Sequence, residues 1–209
     1  MNIVLIGIQG CGKGTLVAGL EQHYDFDLIS VGQLLRDEVA TGSELGKTIS
    51  GYIDKGLLVP LEIVKGALDN KLKSSTKKII IFDGFPRNSE QAELLDSITN
   101  VDLVLHLQLD KEIAIQRIVN RLTCKKCGYI TRRQDVSGDM VCHQCGGELA
   151  QRADDVEESV KKRLELYENE TYPLLDRYRT RGVVVDIDTN RDKKDILDSV
   201  LKVINEYNN

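Results

Sequence analysis

Three features of this 209-residue sequence predict a doubly wound α/β fold built on a parallel sheet of five strands. Its apolar runs are strand-length and nearly continuous, as in strands buried on both faces. Helical patterns alternate with those runs, and no repeat period is present. A glycine-rich turn ending in Lys13 joins the first run to the first helical pattern, where such folds hold anions.

In chain order, Asn2–Gly7 reads as the first strand and Lys13–His23 as the helix after it. Asp27–Ser30 is a weaker strand. Gly32–Ala40 and Gly46–Lys55 follow as short helices, closed by Gly56-Leu57-Leu58-Val59-Pro60. Then come the strand Ile79–Asp83, the helix Gln91–Ile98, the strand Asp102–Leu109 and a helix over Ile113–Leu122. Residues 123–150 carry cysteines and glycines with little helical periodicity. Val183–Ile187 is the last strand. Lys193–Tyr207 has Ile196, Val200, Val203 and Ile204 at helical spacing and is expected to dock on the sheet. Residues 1–30, 61–122 and 151–209 are thus expected to form the core. Residues 31–60 and 123–150 are expected to project from the sheet's carboxyl edge, where α/β proteins bind ligands.

Hydrophobic residues make up 41% and charged residues 29%, which argues for a folded chain rather than disorder. The formal net charge is -5 and the pI about 5.3, so a broad basic face for nucleic acid is not expected. Any phosphate site must be a local cluster of Arg and Lys. No apolar run approaches a membrane span. Met1 leads straight into an apolar run without a basic segment or a cleavage site, so a cytoplasmic protein without a signal peptide is expected.

Gly7-Ile8-Gln9-Gly10-Cys11-Gly12-Lys13-Gly14-Thr15 has the makings of a phosphate-binding P-loop. Glycines let consecutive N–H groups face one anion, the helix N-terminus adds its positive end, and Lys13 supplies a full charge. The strict pattern has Ser or Thr directly after the lysine; here Gly14 intervenes before Thr15. Cys11 reads as a small apolar residue of the loop.

Gly-Lys-Gly-Thr in this form resembles the nucleoside monophosphate kinase family, adenylate kinases in particular. Ser30-Val31-Gly32-Gln33-Leu34-Leu35-Arg36 is similar to the family's monophosphate-binding segment, and Lys55–Pro60 to its next element. Asp83-Gly84-Phe85-Pro86-Arg87 with Gln91 resembles its central signature. Arg117 and Arg121, then Gln151-Arg152-Ala153-Asp154-Asp155, then Arg163 complete the order.

The resemblance implies reversible transfer of the terminal phosphoryl group from ATP to AMP with Mg²⁺. ATP would lie on Gly10, Cys11, Gly12, Lys13, Gly14 and Thr15, with Arg117 against its base. AMP would meet Val31, Leu57, Val59, Gly84 and Gln91, its phosphate held by Arg36 and Arg87. Arg121, Arg152 and Arg163, with Lys13, would surround the moving phosphoryl, and Asp83 would orient Mg²⁺ through its waters. Phosphoryl transfer asks for this kind of positioning and positive charge rather than covalent chemistry.

The residues agree with that picture. Arg117 and Arg121 are four apart, so a helix would put both on one face. Arg163 lies beside the stripe of Val156, Val160, Leu164 and Tyr167, where a charge should find an anion. Gln91 carries a donor and an acceptor for one base edge. Asp154 and Asp155 suit a helix start and, by the resemblance, also anchor the lid by pairing. Arg132, Arg133, Arg177, Arg179, Arg181 and Arg191 match no motif and read as surface.

Four positions depart from the adenylate kinase pattern. Val31 stands where Thr is general, Gln33 and Leu61 where Asp is, and Gln9 where Pro is usual. Val31 brings the chain nearer to relatives that act on UMP or CMP, and a UMP/CMP kinase is the alternative of the same class. Those relatives lack the glutamine that Gln91 matches, so adenine is the favoured base.

Cys124-Lys-Lys-Cys127 and Cys142-His-Gln-Cys145 are two CxxC knuckles with fourteen residues between them. They supply four thiolates for a closed tetrahedral Zn²⁺ site, which leaves no open catalytic position. Iron fits the same set, and two disulfides would need an oxidising compartment. His143 is surplus to four cysteines. By the resemblance, the segment is a zinc-stapled lid. A different-class alternative is a nucleotide-switched protein whose knuckles contact nucleic acid through Lys125, Lys126, Arg132 and Arg133. The acidic chain speaks against it. A monomer with ATP, AMP and ADP as ligands, and without nucleic-acid or membrane partners, is expected.

Overall fold

A computed structural model describes residues 1–136 and 138–208. Ser137 and Asn209, which fall inside the expected lid and core spans, lie outside the described residues. The element order begins β1 (Asn2–Gly7), α1 (Lys13–Leu20), β2 (Phe26–Ser30), α2 (Val31–Ala40), α3 (Glu44–Ile53), α4 (Leu61–Lys73) and β3 (Ile79–Asp83). It continues with α5 (Ser89–Ile98), β4 (Leu103–Gln108), α6 (Lys111–Val119), β5 (Arg121–Cys124), β6 (Ile130–Arg132) and β7 (Leu149–Ala150). α7 (Glu157–Leu166), a π-helical turn at Tyr167–Thr171, α8 (Leu174–Arg179), β8 (Val184–Asp188) and α9 (Lys193–Asn208) complete it.

Five strands make one parallel sheet in the order β2-β3-β1-β4-β8. The central strand explains the architecture. Successive residues of β1 point to opposite faces. Ile3 and Leu5 enter one apolar layer with Leu16, Leu20 and Ile204, and Val4 and Ile6 enter the other with Phe82, Leu95 and Leu175. With both faces covered by helices, alternation of polarity disappears and the strand reads as a continuous apolar run. Each fully buried Leu or Ile contributes roughly 1.5–3 kcal/mol from apolar area alone.

The weak strand Asp27–Ser30 is real and pairs with β3 at the sheet's edge. α8 has no counterpart in the sequence reading, and neither has α4. Val64 and Leu68 are its buried positions and join the same apolar layer as Val31, Leu35, Ile49 and Val59. The 31–60 excursion therefore packs onto the core rather than on a core of its own. Among the described residues, no helix is long and apolar enough to cross a membrane.

The expectation of a helix through Leu122 is corrected. α6 stops at Val119, Asn120 leaves helical geometry, and Arg121–Cys124 becomes a strand. It pairs antiparallel with β6 and with β7, forming a separate three-stranded sheet around the cysteines. Leu122 packs there with Cys124, Cys142 and Leu149, and that small tertiary core overrides helix continuation. Arg117 and Arg121 consequently sit on different elements, not on one helix face.

Candidate functional site

The loop after β1 needs its glycines for two reasons. Gly10 and Gly12 have φ of 88° and 101°, where a side chain would be strained, and a Cβ on Gly10 would come within 2.8 Å of the Ala114 carbonyl oxygen. The turn closes through Cys11 N–H donating to Ile8 O at 3.1 Å, and Gly12 precedes the first helical residue. Lys13 Nζ folds back onto Gly7 O at 2.7 Å and approaches Ile8 O and Cys11 Sγ, each at 3.4 Å. Its charge is thereby held at the loop's mouth, and Gly14 and Thr15 stay exposed on the first turn of α1. A Cβ on Gly14 would lie 3.3 Å from Ile130 Cδ1, so β6 of the cysteine-bearing sheet hangs over the loop. Arg117, near the end of α6, reaches the same loop, with Nη1 3.5 Å from Gly10 O and Nη2 3.4 Å from Thr189 O.

Beside the loop, at the carboxyl edge of β1 and β3, lies a pocket. One wall is apolar, from Val31, Leu35, Leu57, Leu58 and Val59; the other carries Arg36, Arg87, Gln91, Asp154 and Arg163. Two cations meet at Gly32, where a Cβ would be 3.5 Å from Arg36 Nη1 and 3.6 Å from Arg87 Nη2. Burial pushes both guanidinium pKa values down, against the pull of Asp154 on Arg36 and of Asp83 on Arg87. Arg36 Nη2 donates to the neutral Gln33 side chain at 3.2 Å, and Arg87 Nε donates to Gly84 O at 2.8 Å. Two desolvated cations so close together make a site for an anion.

Gln91 is buried, and the way α5 begins fixes it. Asn88 caps the helix by accepting from Gln91 N–H at 2.9 Å, and Gln91 Oε1 accepts from Arg87 N–H at 2.8 Å. The amide oxygen is thus partly engaged within the protein. That pins the amide oxygen at the pocket's wall, and the N–H₂ end is the donor this side chain carries.

Three further arginines gather around Asp154 and Asp155. Arg121, on β5, holds buried Asp155 by two hydrogen bonds of 2.8 and 2.5 Å. Arg163, on α7, pairs with Asp154 at 2.5 Å and with Asp155 at 3.2 Å. Arg152 Nε donates to Thr123 Oγ1 at 3.1 Å, and burial together with the charges of Arg121 and Arg36 brings its pKa down to about 10. Asp154 and Asp155 precede α7 instead of starting it, so pairing is their structural role here. The structure brings together Arg36, Arg87, Arg121, Arg152 and Arg163 as one interacting set. Of the arginines read as surface, Arg132 pairs with Asp135, and Arg177 and Arg181 both pair with Asp96.

Asp83 ends β3 with its Oδ1 buried and without a partner among the described residues, while Ser30 Oγ lies 3.4 Å from Oδ2. A carboxylate oxygen left bare at this edge fits a hydrated divalent cation. Gln9 Oε1 is a second buried orphan, and Gln9 lines the pocket. The sequence marked Gln9 only as a departure from pattern. Leu35 and Leu58 of the apolar wall were named in the sequence only as members of segments that resemble the family's monophosphate-binding elements.

Beside the small sheet, the sulfurs of Cys124, Cys127, Cys142 and Cys145 all lie within 4.8 Å of one another. Cys124 and Cys145 sulfurs are 3.5 Å apart, and those of Cys127 and Cys142 3.7 Å. Sulfurs at about 2.3 Å from one Zn²⁺ sit about 3.8 Å apart in a tetrahedron, so the four fit that ion. None is in a disulfide. A Cβ on Gly147 would be 2.9 Å from Cys124 Sγ, which is why the second knuckle needs glycine there. Cys11 is buried in the phosphate loop, apart from this cluster.

A protein-family model described as adenylate kinase matches residues 5–183. Curated proteins named adenylate kinase align along nearly the whole chain. The one from Caldanaerobacter subterraneus subsp. tengcongensis is 40% identical over 212 residues, covering 98% of this chain and 96% of its own. That from Archaeoglobus fulgidus is 40% identical over 200 residues, covering 92% of each. That from Methanosarcina mazei is 38% identical over 215 residues, covering 99% and 100%.

Proposed function

The chain belongs to the adenylate kinase family, and from that premise we propose how its residues carry a reversible transfer of the terminal phosphoryl group from ATP to AMP. It is a nucleoside monophosphate kinase. ATP phosphates lie against the N–H groups of Gly10 to Thr15, and Lys13 exchanges the carbonyls of Gly7 and Ile8 for an outer phosphate. Arg117 borders the ATP base. AMP occupies the neighbouring pocket, its base against Val31, Leu57, Val59, Gly84 and the Gln91 amide, its phosphate on Arg36 and Arg87.

Arg121, Arg152 and Arg163 turn from their protein partners onto the moving phosphoryl. The attack is direct and in line, and two ADP result. Mg²⁺ bound with ATP supplies charge neutralisation on the phosphates. Asp83, with a bare buried oxygen, suits its water shell. Cys124, Cys127, Cys142 and Cys145 hold a structural Zn²⁺ that folds residues 123–150 into a lid, and residues 31–60 form the AMP-side flap. Closure of both over residues 1–30, 61–122 and 151–209 excludes water that would otherwise hydrolyse ATP.

The convergence of Arg36, Arg87 and Arg163 on a pocket that touches the phosphate loop supports this reading most strongly. A coupled assay with ATP, Mg²⁺ and each of AMP, GMP, UMP and CMP tests it. AMP should be the preferred acceptor; preference for UMP would favour the UMP/CMP alternative, and no diphosphate from any acceptor would defeat the enzyme reading.

A further inference from the structure

Gln9 has no part in the roles above, yet it occupies the seam between the two nucleotide sites. It lies two residues beyond the end of β1, inside the turn that Cys11 N–H closes onto Ile8 O. Its side chain lines the acceptor pocket together with Arg36, Arg87, Gln91, Asp154 and Arg163. Its amide oxygen is buried and has no partner among the described residues. Buried polar atoms are nearly always satisfied, so an orphan beside a ligand pocket marks an amide whose partners come into place only when the site is filled.

We propose that Gln9 is a further substrate-binding residue, whose side-chain N–H₂ donates to a phosphate oxygen of the acceptor at the point of phosphoryl transfer. This rests on the pocket's being the AMP site. Phosphate oxygens accept and do not donate, so the nitrogen end must face them. The oxygen end then accepts an N–H from a guanidinium that has turned onto the same phosphate. Arg36, Arg87 and Arg163 already supply charge; the amide adds direction without another cation. It is fixed to the loop that holds ATP while reaching toward AMP, so it sets the two phosphates relative to each other. A proline at this position, usual in the family pattern, has no such donor.

Wild type, Gln9→Met and Gln9→Glu provide the test, since both substitutions keep the side chain's length and bulk. Steady-state kinetics with ATP and AMP are measured together with calorimetric titration of AMP alone and of a non-hydrolysable ATP analogue alone. Gln9→Met should lower kcat/KM for AMP about tenfold or more, as expected for a hydrogen bond to a charged group. It should weaken AMP binding in parallel and leave the ATP analogue's affinity within about twofold. Gln9→Glu should lose more, because a carboxylate repels the phosphate. AMP parameters for Gln9→Met within about twofold of wild type would overturn the proposal. So would an equal loss of affinity for the ATP analogue, which would mean a distorted loop, or a Gln9→Glu no worse than Gln9→Met. A wild type that binds ATP but neither binds nor phosphorylates AMP would remove the acceptor reading and this proposal together. A wild type fully active on AMP with an indifferent Gln9→Met would remove this proposal alone.

Discussion

Arg121 and Asp155 are joined by two hydrogen bonds of 2.8 and 2.5 Å, the carboxylate side chain fully buried and the guanidinium nearly so. The pair ties β5 of the small sheet to the segment that follows β7. On the proposed function, it also keeps Arg121 on a protein anion until a nucleotide competes for it. Arg121→Ala should therefore lower kcat by roughly 10³-fold or more, by the scale of arginines that stabilise phosphoryl transfer. Turnover within about tenfold of wild type would take Arg121 out of the transfer step.

Asp155→Asn separates anchoring from transfer. It leaves Arg121 and Arg163 without one of their buried anions, and breaking a buried pair costs about 3–5 kcal/mol. In a chain of this size each kcal/mol moves Tm by roughly 2–4 °C, so a fall of about 6 °C or more is expected by scanning calorimetry. Because the guanidiniums remain free to reach phosphate, kcat at low temperature should fall far less than in Arg121→Ala. Equal losses of kcat would show that Asp155 acts in the transfer itself.

Much of this was legible in the sequence because it depends on local chemistry. The phosphate loop, the two knuckles and the double-sided burial of β1 leave marks in residue type and spacing. Arg121 was found as a residue but assigned to the wrong element. The strand that carries it exists only because Leu122 and Cys124 pack with Cys142 and Leu149, contacts about twenty residues apart that no periodicity records. α4 was missed although Val64 and Leu68 are spaced for one helix face; the glycine and two lysines between Ile63 and Leu72 dilute the pattern. The orphan oxygens of Gln9 and Asp83 are purely tertiary facts, since a missing partner cannot be seen in a string of residues.

Val31 tests base selection. It is buried at the first position of α2 and lines the acceptor pocket. Val31→Thr keeps the shape and adds a hydroxyl, worth about 1 kcal/mol if the bound base completes its hydrogen bond. KM for AMP should fall by up to about fivefold while KM for ATP is unchanged. The same hydroxyl has a desolvation cost in the free protein, so Tm should not rise. An unchanged KM for AMP, or a switch of preference to UMP, would mean that the base is not read at this position.

Motion of the two excursions can be read by proteolysis. In this structure Gly56 packs against the backbone of Ser159 on α7, and Ser159 Oγ donates to Asp54 O. Ile130 rests over Gly14. These latches should tighten when both nucleotide sites are filled. An analogue joining two adenosines through phosphates should slow cleavage within residues 31–60 and 123–150 and reduce the radius of gyration. Identical cleavage patterns with and without it would leave no role for closure of the two flaps.

The cysteine cluster predicts what metal removal does. Four sulfurs at tetrahedral spacing should bind about one equivalent of Zn²⁺ per chain, measurable by elemental analysis. Structural zinc contributes roughly 10–16 kcal/mol to small peptides that fold around it. Here only part of that should appear as stability, because the small sheet's core of Leu122, Cys124, Cys142 and Leu149 is separate from the two layers on the main sheet. Chelation or Cys142→Ser should therefore melt residues 123–150 first, seen as loss of amide protection there while β1 and β4 stay protected. Arg121 and Arg152 would lose their scaffold, since Thr123, which holds Arg152, belongs to the same small sheet. Activity should drop steeply with temperature yet persist in the cold, because no thiolate touches the phosphoryl group. Complete loss of activity in the cold with an intact fold would make the metal part of the chemistry, and a metal-free protein with two disulfides would refute the site.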